Sequence, residues 1–416
     1  MKPYSNTRIS RCANALAILS IAILAVVSQA SAQAEQKLYD FCSRTNCTDG
    51  EYPNDSLIRD AKGNLYGTTT SGGAHGQGTI FRISATGVEK VIYSFCAQQS
   101  CTDGASPFDG LVADRSGNVY GTTYSGGVRG LGTVFKISSG GVHSVLYSFC
   151  AQSTCADGAN PYAGLIIDAA GNLYGTTLGG GSLNNGTVFE LSPTGSETVL
   201  HAFQNTPDLA TPYGGLILDS FGNVYGTTWF GGVNGTGGVF EISPNQNETI
   251  LYNQWCANAC TQDGESSAAA LIADKKGNVY GTTALGGAFA SGLVFKLNVA
   301  RKTETILYSF AGAAKEDGAA PFAGLVADTS GNFYGATTSG GVSGCGGGLQ
   351  DGCGSVFKLS PAGTSFTESI LHNFANDRTD GTNPFGGLIL DSQNNLYGTT
   401  RLGGLNGGGT VFKITQ

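Results

Sequence analysis

Tryptophan, histidine and charged residues are scarce in this sequence of 416 residues. It contains two tryptophans and four histidines, and Asp, Glu, Lys and Arg together make up only 12% of it, about half the usual share. The four histidines form no Ser-His-Asp arrangement, so no hydrolase triad is predicted. The formal net charge of −8 disfavours nucleic acid as a partner, because phosphate binding needs clustered positive charge.

Long apolar runs are also rare, and the main one lies at the N-terminus. Basic residues there are followed by an apolar run of about thirteen residues over Ala15–Val27 and by Ala30-Ser31-Ala32, the order typical of a secretory signal peptide. The run is short for a membrane span, which needs roughly 20 residues. We predict a signal peptide over 1–32 and a mature chain from Gln33 with no membrane span; an uncleaved N-terminal anchor is the alternative.

Glycine is abundant, with 65 copies, and much of it belongs to one repeated phrase of the form Gly-Asn-Leu-Tyr-Gly-Thr-Thr. The asparagines of its seven copies are separated by 54, 54, 51, 55, 54 and 63 residues: Asn64, Asn118, Asn172, Asn223, Asn278, Asn332 and Asn395. Each period holds four short β-branched or aromatic segments, which we name strands A to D, divided by turn residues. Four strands in about 54 residues is the size of a propeller blade. The sequence therefore predicts an all-β fold, with residues 33–416 forming one seven-bladed β-propeller of antiparallel strands.

The two ends of the repeat region predict how the ring closes. Lys37–Phe41 reads as a lone strand D, and Thr410–Ile414 is a strand C with no strand D after it. If the N-terminal strand completes the last blade, no sheet edge is left unpaired. We therefore expect closure by the N-terminal strand.

Ten cysteines remain once Cys12 is removed with the signal peptide, and they fall into close pairs that are present or absent together. The pairs are Cys42/Cys47, Cys96/Cys101, Cys150/Cys155, Cys256/Cys260 and Cys345/Cys353. In an exported protein this pattern favours local disulfides. Zinc binding is the alternative, but it would need two more ligands per pair, which four histidines cannot supply.

The repeated phrase, the double glycine behind it (as in Gly126-Gly127) and the following Gly-Thr-Val-Phe strand together resemble the GloVer (Gloeobacter/Verrucomicrobia) tandem-repeat family of exported bacterial proteins. The resemblance implies an extracellular or surface location and a propeller-like fold. It implies no established activity and brings no catalytic residues. The chain ends at Gln416 directly after strand C with no apolar tail, so we expect a secreted, extracellular or periplasmic product and doubt surface anchoring.

The strand order places the D-to-A and B-to-C loops on one side of the disc, which we call the loop face. Two aligned positions near its centre carry acids, Asp55 and Asp109, where the other five repeats have alanine or glycine; Arg59 follows four residues after Asp55. Such a carboxylate pair would act as acid and base or hold a cation. Solvated acids at a strand entry are the alternative.

Three aromatic residues of the loop face, Trp229, Phe230 and Trp255, are candidates for stacking on sugars or anchoring a partner protein, with loop packing as the alternative. Six Asp-Gly steps also lie there: Asp49, Asp103, Asp157, Asp263, Asp317 and Asp380. Asp-Gly is typical of a turn, and a calcium-binding ring of carboxylates is the alternative.

These patterns favour a secreted, non-enzymatic binding protein that contacts carbohydrate or another protein through the loop face. The competing hypothesis is a channel-mouth hydrolase or lyase that uses Asp55 and Asp109, with a divalent cation as an optional cofactor. A purely structural envelope component is the third. Fold analogy cannot choose among them, because propellers host unrelated functions.

Overall fold

A computed structural model describes residues 35–54, 56–253, 263–342, 344–345, 351–363 and 365–416. Within these ranges the chain is all-β, without an α-helix, and no helical segment has the length and apolar character needed to cross a bilayer. Seven sheets of four antiparallel strands form a ring. The prediction of a seven-bladed propeller is confirmed. Asp55, Trp255, Cys256 and Cys260 lie outside the described residues.

Each blade contains strands A to D from the channel outwards. Strand A is Ile58–Arg59, Val112–Ala113, Ile166–Ile167, Ile217–Leu218, Ile272–Ala273, Val326–Ala327 and Ile389–Leu390. Strand B is Leu65–Thr69, Val119–Thr123, Leu173–Gly179, Val224–Thr228, Asn278–Thr283, Phe333–Thr337 and Leu396–Thr400. Strand C is Thr79–Ile83, Thr133–Ile137, Thr187–Leu191, Gly238–Ile242, Leu293–Asn298, Ser355–Ala362 and Thr410–Ile414. Strand D is Glu89–Ser94, His143–Ser148, Glu197–Ala202, Glu248–Tyr252, Thr303–Ser309, Ser365–Asn373 and, in blade seven, Glu35–Asp40.

Short elements decorate the loop face. In blade three the short strand Ala159–Pro161 pairs with strand B. In blades four to seven two-residue strands pair with each other: Leu209–Ala210 with Phe230–Gly231, Gly264–Glu265 with Leu285–Gly286, Gly318–Ala319 with Ser339–Gly340, and Gly381–Thr382 with Leu402–Gly403. Single 3-10 turns cover Thr45–Cys47, Gln99–Cys101, Ser153–Cys155 and Ala313–Lys315. These pairs and turns give the D-to-A loops a defined backbone hydrogen-bonding pattern.

The N-terminal strand closes the ring. Glu35–Asp40 pairs antiparallel with Thr410–Ile414, with Lys37 opposite Phe412 and Asp40 opposite Thr410. The next residue, Phe41, is fully buried, and its ring lies 4.8 Å from that of Phe81 in blade one. The predicted closure is therefore confirmed, and it joins the last blade to blade one.

Phenylalanine pairs fill the space between blades. In each pair the ring that follows strand D packs edge-on against the strand C ring of the next blade, with centroids 4.8–5.3 Å apart. The pairs are Phe41–Phe81, Phe95–Phe135, Phe149–Phe189, Phe203–Phe240, Phe310–Phe357 and Phe374–Phe412. Edge-to-face contacts contribute about 0.5–1.5 kcal/mol beyond apolar burial. The core is thus a chain of interblade contacts.

The glycine of the Tyr-Gly-Thr phrase leaves the space that these phenylalanine rings occupy. Gly121 lies opposite Phe135 in the antiparallel ladder, and a Cβ on it would stand 2.7 Å from Phe135 Cζ and 3.0 Å from Leu111 Cδ2. Real Cβ contacts are longer than this. Any side chain there would overlap the ring, so the glycine is a packing requirement.

Threonine hydroxyls link adjacent blades. Thr122 donates to the carbonyl of Ala163 at 3.3 Å and Thr227 to that of Ala269 at 3.0 Å, each in the next blade. In blade six the aligned residue is Ala336, which has no hydroxyl. The blades are therefore joined by polar as well as apolar contacts, with a variation at this one seam.

The opposite side of the disc is built from seven Asp-x-x-Gly-Asn hairpins, or their close variants. In blade two, Asp114 Oδ1 accepts from the N–H groups of Ser116 and Asn118 at 2.8 and 2.9 Å, and Oδ2 accepts from Asn118 Nδ2 at 2.7 Å and Tyr120 Oη at 3.0 Å. An aspartate that satisfies four donors fixes the turn locally. These aspartates are therefore turn residues.

Candidate functional site

A cavity of about 280 Å³ lies where the seven inner strands begin at the centre of the loop face. Its lining includes one small residue from each blade at the same repeat position: Ser56, Gly110, Gly164, Gly215, Ala270, Gly324 and Gly387. Small side chains leave room that larger ones would occupy. The repeat thus builds an opening at the ring axis, and neighbouring positions determine its chemistry.

Aromatic residues surround this opening. The position after the recurrent proline is Phe108, Tyr162, Tyr213, Phe322 and Phe385 in blades two, three, four, six and seven. Blade five has Ala268 there, and Trp229 from the B-to-C loop of blade four supplies a ring instead. We call these six aromatic residues the aromatic belt. Blade one breaks the belt with Asn54.

The belt is a continuous series of ring contacts. Tyr162 lies 5.0 Å from Phe108 and 4.8 Å from Tyr213. Trp229 lies 5.5 Å from both Tyr213 and Phe322, nearly parallel to Phe322 at 14°. Phe322 and Phe385 stack at 5.0 Å and 22°. All six side chains are half-buried, so each is held by its neighbours and keeps part of its ring exposed.

The belt carries no charge of its own near neutral pH. Burial, and then the nearby Tyr124, raises the pKa of Tyr213, so its hydroxyl stays protonated. Polar groups occupy the break in blade one: Asn54 is only 5% exposed, and its Oδ1 accepts no hydrogen bond among the described residues. A buried acceptor without a donor is unfavourable. A donor from a bound ligand would satisfy it.

Asp109 is the described member of the predicted carboxylate pair, and it lines the cavity. Its Oδ1 accepts from its neighbour Gly110 N–H at 2.6 Å, and its Oδ2 accepts from Gly164 N–H in blade three. These amides hold the carboxylate at the seam between two blades. Because Asp55 lies outside the described residues, the pairing of the two acids stays a prediction.

The remaining predicted site residues separate in space. The guanidinium of Arg59 lies 5.7 Å from the centroid of the Tyr397 ring and is not among the residues that line the cavity. Phe230 is 50% exposed, 6.4 Å from Trp229 between ring centroids, and also does not line the cavity. Trp229 does not line the cavity either, but it belongs to the belt through its ring contacts with Tyr213 and Phe322. Trp255 lies outside the described residues.

The carboxylates of the Asp-Gly steps accept hydrogen bonds from their own loops and from the preceding strand D. Asp103 is fully buried and accepts from Tyr93 Oη at 2.7 Å and from the N–H groups of Ala97 and Gln98 at 2.9 and 3.1 Å. Burial alone would raise the pKa of Asp103, but these hydrogen bonds lower it below its ordinary value. In blade four, Asp208 takes the same role without an Asp-Gly step, accepting from Gln204 N–H at 2.8 Å. These contacts support the turn interpretation.

Disulfides fix several of the same loops. Cys42–Cys47, Cys96–Cys101, Cys150–Cys155 and Cys345–Cys353 are bonded. The first three close the loops that the Asp-Gly carboxylates bridge, and the fourth lies in the B-to-C loop of blade six. The fifth predicted pair, Cys256 and Cys260, lies outside the described residues. Of the belt residues, Phe108 and Tyr162 thus follow loops that a disulfide closes.

A second set of titratable groups lies away from the belt, at the start of strand D. Burial, and then the nearby Asp157, raises the pKa of Glu197 to about 7. Burial and then Asp317 do the same for Glu368. Each also has an oxygen without a hydrogen-bond partner among the described residues. These acids were not predicted from the sequence, because their burial depends on the adjacent blade, which packs against strand D.

The propeller is expected to lose stability as the pH rises through about 7. A glutamate with a raised folded pKa favours the folded state below its unfolded value of 4.5, and this contribution is lost as the pH passes the folded value of about 7. Allowing for solvent screening, we expect on the order of 1 kcal/mol from each group. Thermal unfolding of Glu197→Gln should decline less between pH 5 and 8 than wild type. Glu316→Gln, at an exposed loop position, is the control; equal slopes for all three proteins would contradict the assignment.

Comparisons with known proteins agree with the fold. The extracellular domain of a proposed one component system from B. thetaiotaomicron superposes with a TM-score of 0.55 at 10% identity, over 91% of this chain and 40% of that one. An oligogalacturonate lyase from Vibrio parahaemolyticus gives 0.53 at 11% identity, over 93% and 94% of the two chains. This chain therefore spans less than half of the first protein. No curated protein sequence matches it. A family model described as the Gloeobacter/Verrucomicrobia repeat matches residues 26–166 and 152–349.

Proposed function

Because the chain belongs to the Gloeobacter/Verrucomicrobia repeat family, we propose that this propeller is an exported, non-enzymatic module that binds carbohydrate at the mouth of its central channel. The aromatic belt is the observation that carries the proposal. Five of its rings line the cavity and the sixth, that of Trp229, packs on two of them, and each keeps part of its face accessible. Sugar rings present C–H faces that pack on aromatic rings, and hydroxyls that pair with polar groups at the edge.

The polar groups of the site suit a neutral or weakly charged sugar. Asn54 Oδ1 is a buried acceptor without a donor, and Asp109 provides a carboxylate on the adjacent blade. Sugar hydroxyls would donate to both. A cavity of about 280 Å³ lies near the lower end of ligand pockets, which span about 300–1,000 Å³. This size suits one or two sugar units, so a glycan end or a short oligosaccharide is the proposed ligand.

The proposed location outside the cytoplasm rests on separate evidence. Residues 1–32 have the pattern of a cleaved signal peptide, and four disulfides fit an oxidising compartment. A structural neighbour is itself an extracellular domain. Together these features support secretion and contact with extracellular or envelope glycans.

A lyase or hydrolase is the second candidate, and Asp109 is the observation that favours it. Its carboxylate lies in the cavity with backbone amides donating to both oxygens, a fixed position that suits a general base or a cation ligand. One similar fold is an oligogalacturonate lyase. Asp109→Asn distinguishes the two functions: a binder would keep most of its affinity, whereas an enzyme would lose turnover.

Substitutions in the belt test the binding proposal. We expect Trp229→Ala and Phe322→Ala each to weaken binding of a soluble oligosaccharide by roughly tenfold or more, because the Phe322 ring lines the cavity and the Trp229 ring stacks on it and holds it in place. A glycan array on the wild-type protein identifies the ligand, and calorimetry then measures each affinity. Phe230→Ala, which removes an exposed ring outside the cavity lining, should bind as wild type does.

Two outcomes would refute carbohydrate binding at this site. The first is a wild-type protein that binds nothing on the array while its circular dichroism and melting are those of a folded propeller. The second is a ligand whose affinity is unaffected by both belt substitutions. If the wild-type protein binds a protein partner and Trp229→Ala does not, the belt would instead be assigned to protein recognition.

A further inference from the structure

The outer rim of the propeller repeats a titratable group in every blade, buried in the case of Glu89 and half-buried in the others. The aligned residues near the start of strand D are Glu35, Glu89, His143, Glu197, Glu248, Glu304 and Glu368. Each lies against the preceding blade, close to the aspartate that organises the D-to-A loop there. The third member of each group is a residue of the preceding strand D. It is tyrosine in five blades and histidine in two, His201 and His372.

The replacement of tyrosine by histidine changes which donor and acceptor atoms face the aspartate and the glutamate. In the tyrosine version, Tyr147 Oη donates to Asp157 Oδ2 at 2.8 Å, so the hydroxyl satisfies the carboxylate. In the histidine version, an imidazole nitrogen faces the two acids. Two groups of one histidine, one aspartate and one glutamate result, each with three donor atoms within 4.8 Å of one another: His201/Asp208/Glu248 and His372/Asp380/Glu35.

The blade-four group has the spacing of a chelating site. His201 Nε2 lies 3.5 Å from Asp208 Oδ2 and 3.6 Å from Glu248 Oε2. Two atoms that are each about 2.1 Å from one ion at a tetrahedral angle are about 3.4 Å apart. The observed separations are therefore slightly long for hydrogen bonds and close to those of two ligands that share a small cation.

Unsatisfied atoms in the same group also point to a ligand. His201 Nε2 and Glu248 Oε1 are buried and have no hydrogen-bond partner among the described residues. The side chains of His201 and Glu248 are 17% and 15% exposed, so little solvent reaches them. Asp208 is held in place because Gln204 N–H and Leu209 N–H donate to its two oxygens at 2.8 and 2.7 Å. Such anchoring of a carboxylate by backbone amides is typical of metal ligands.

We propose that His201, Asp208 and Glu248 bind one divalent transition-metal ion. From the same set of donor atoms we expect His372, Asp380 and Glu35 to bind a second ion, which would have to replace the 2.9 Å hydrogen bond between His372 Nε2 and Asp380 Oδ2. One imidazole nitrogen and two carboxylate oxygens suit Zn²⁺ and its first-row neighbours better than calcium, which prefers oxygen ligands throughout. Three protein ligands leave at least one coordination position for water. The sites link strand D of one blade to strand D of the next, so a bound ion would tie two blades together.

Metal-stripped protein dialysed against Zn²⁺ tests the proposal by stoichiometry. We expect two ions per wild-type chain, one in His201→Tyr, one in His372→Tyr and none in the double variant. Tyrosine is the matched replacement, because five blades already carry it at this position. Co²⁺ substitution gives a second readout, since its visible absorption reports nitrogen and oxygen ligation directly. His75→Gln removes an exposed histidine of the loop face and should keep both ions.

A reciprocal variant makes the test independent of any loss of folding. Tyr147→His places an imidazole beside Asp157 and Glu197, and we expect it to add a third ion. Wild-type binding no greater than that of the double variant would overturn the proposal, as would two ions that persist in the double variant. One ion that disappears only with His201→Tyr would support the blade-four site and overturn the blade-seven site. If Tyr147→His binds no third ion, a histidine beside the aspartate and the glutamate is not sufficient to form a site, and that part of the argument is refuted.

Discussion

A chain that lacks residues 35–41 is expected to lose the closed ring and to aggregate or dimerise through its last blade. Without this segment, Thr410–Ile414 becomes an unpaired edge strand, and the pocket that holds Phe41 against Phe81 is left open. An unpaired, apolar edge is a template for pairing with another chain. Size-exclusion chromatography and thermal melting followed by circular dichroism measure both consequences.

Two further variants separate the strand from its anchoring side chain. Phe41→Ala keeps every backbone hydrogen bond of the closure and should cost about 3–5 kcal/mol of unfolding free energy, because the ring is fully buried. A peptide of residues 35–42 added to the deleted chain should restore the monomer, and the same peptide with Phe41→Ala should not. A deleted chain that stays monomeric and melts as wild type does would show that another segment closes the ring.

Gly121→Ala is expected to destabilise the propeller by about 1–3 kcal/mol, although alanine normally favours a strand more than glycine does. The added Cβ would stand 2.7 Å from Phe135 Cζ, and Phe135 is fully buried between two blades, so the ring has nowhere to move. Chemical denaturation of single variants measures the change. Gly140→Ala, whose Cβ would meet only Ser138 Oγ at 3.7 Å, should be neutral.

A compensating substitution identifies the cause of the Gly121 effect. Phe135→Leu alone should destabilise, because it shortens a core side chain. Combined with Gly121→Ala it should cost less than the sum of the two changes, since the smaller side chain leaves room for the Cβ. Additive costs would mean that the glycine is needed for its backbone freedom and not for the space beside the ring.

The fold was predictable because its determinants are local and repeated. The turn chemistry around Asp114 and the alternation of each strand recur seven times, and the odd strands at the two ends of the repeat region predict their own pairing. The candidate site was harder to predict from the sequence. Trp229 was identified as a candidate, but its partner Phe322 lies in blade six, and their contact depends on how the ring is closed. Likewise, the burial of Glu197 depends on the neighbouring blade, which no pattern within one repeat describes.

The closure also determines when this fold is completed during synthesis. Glu35–Asp40 is made before every other described strand, yet its partner Thr410–Ile414 is made last. Until the whole chain has emerged, the first strand has no partner, and the slow, non-local step of ring closure comes at the end. Its sequence suits this interval: Glu35, Lys37 and Asp40 place charge along the waiting strand, which discourages pairing with another chain. Lys37 and Asp40 then form an ion pair at 2.9 Å in the finished blade.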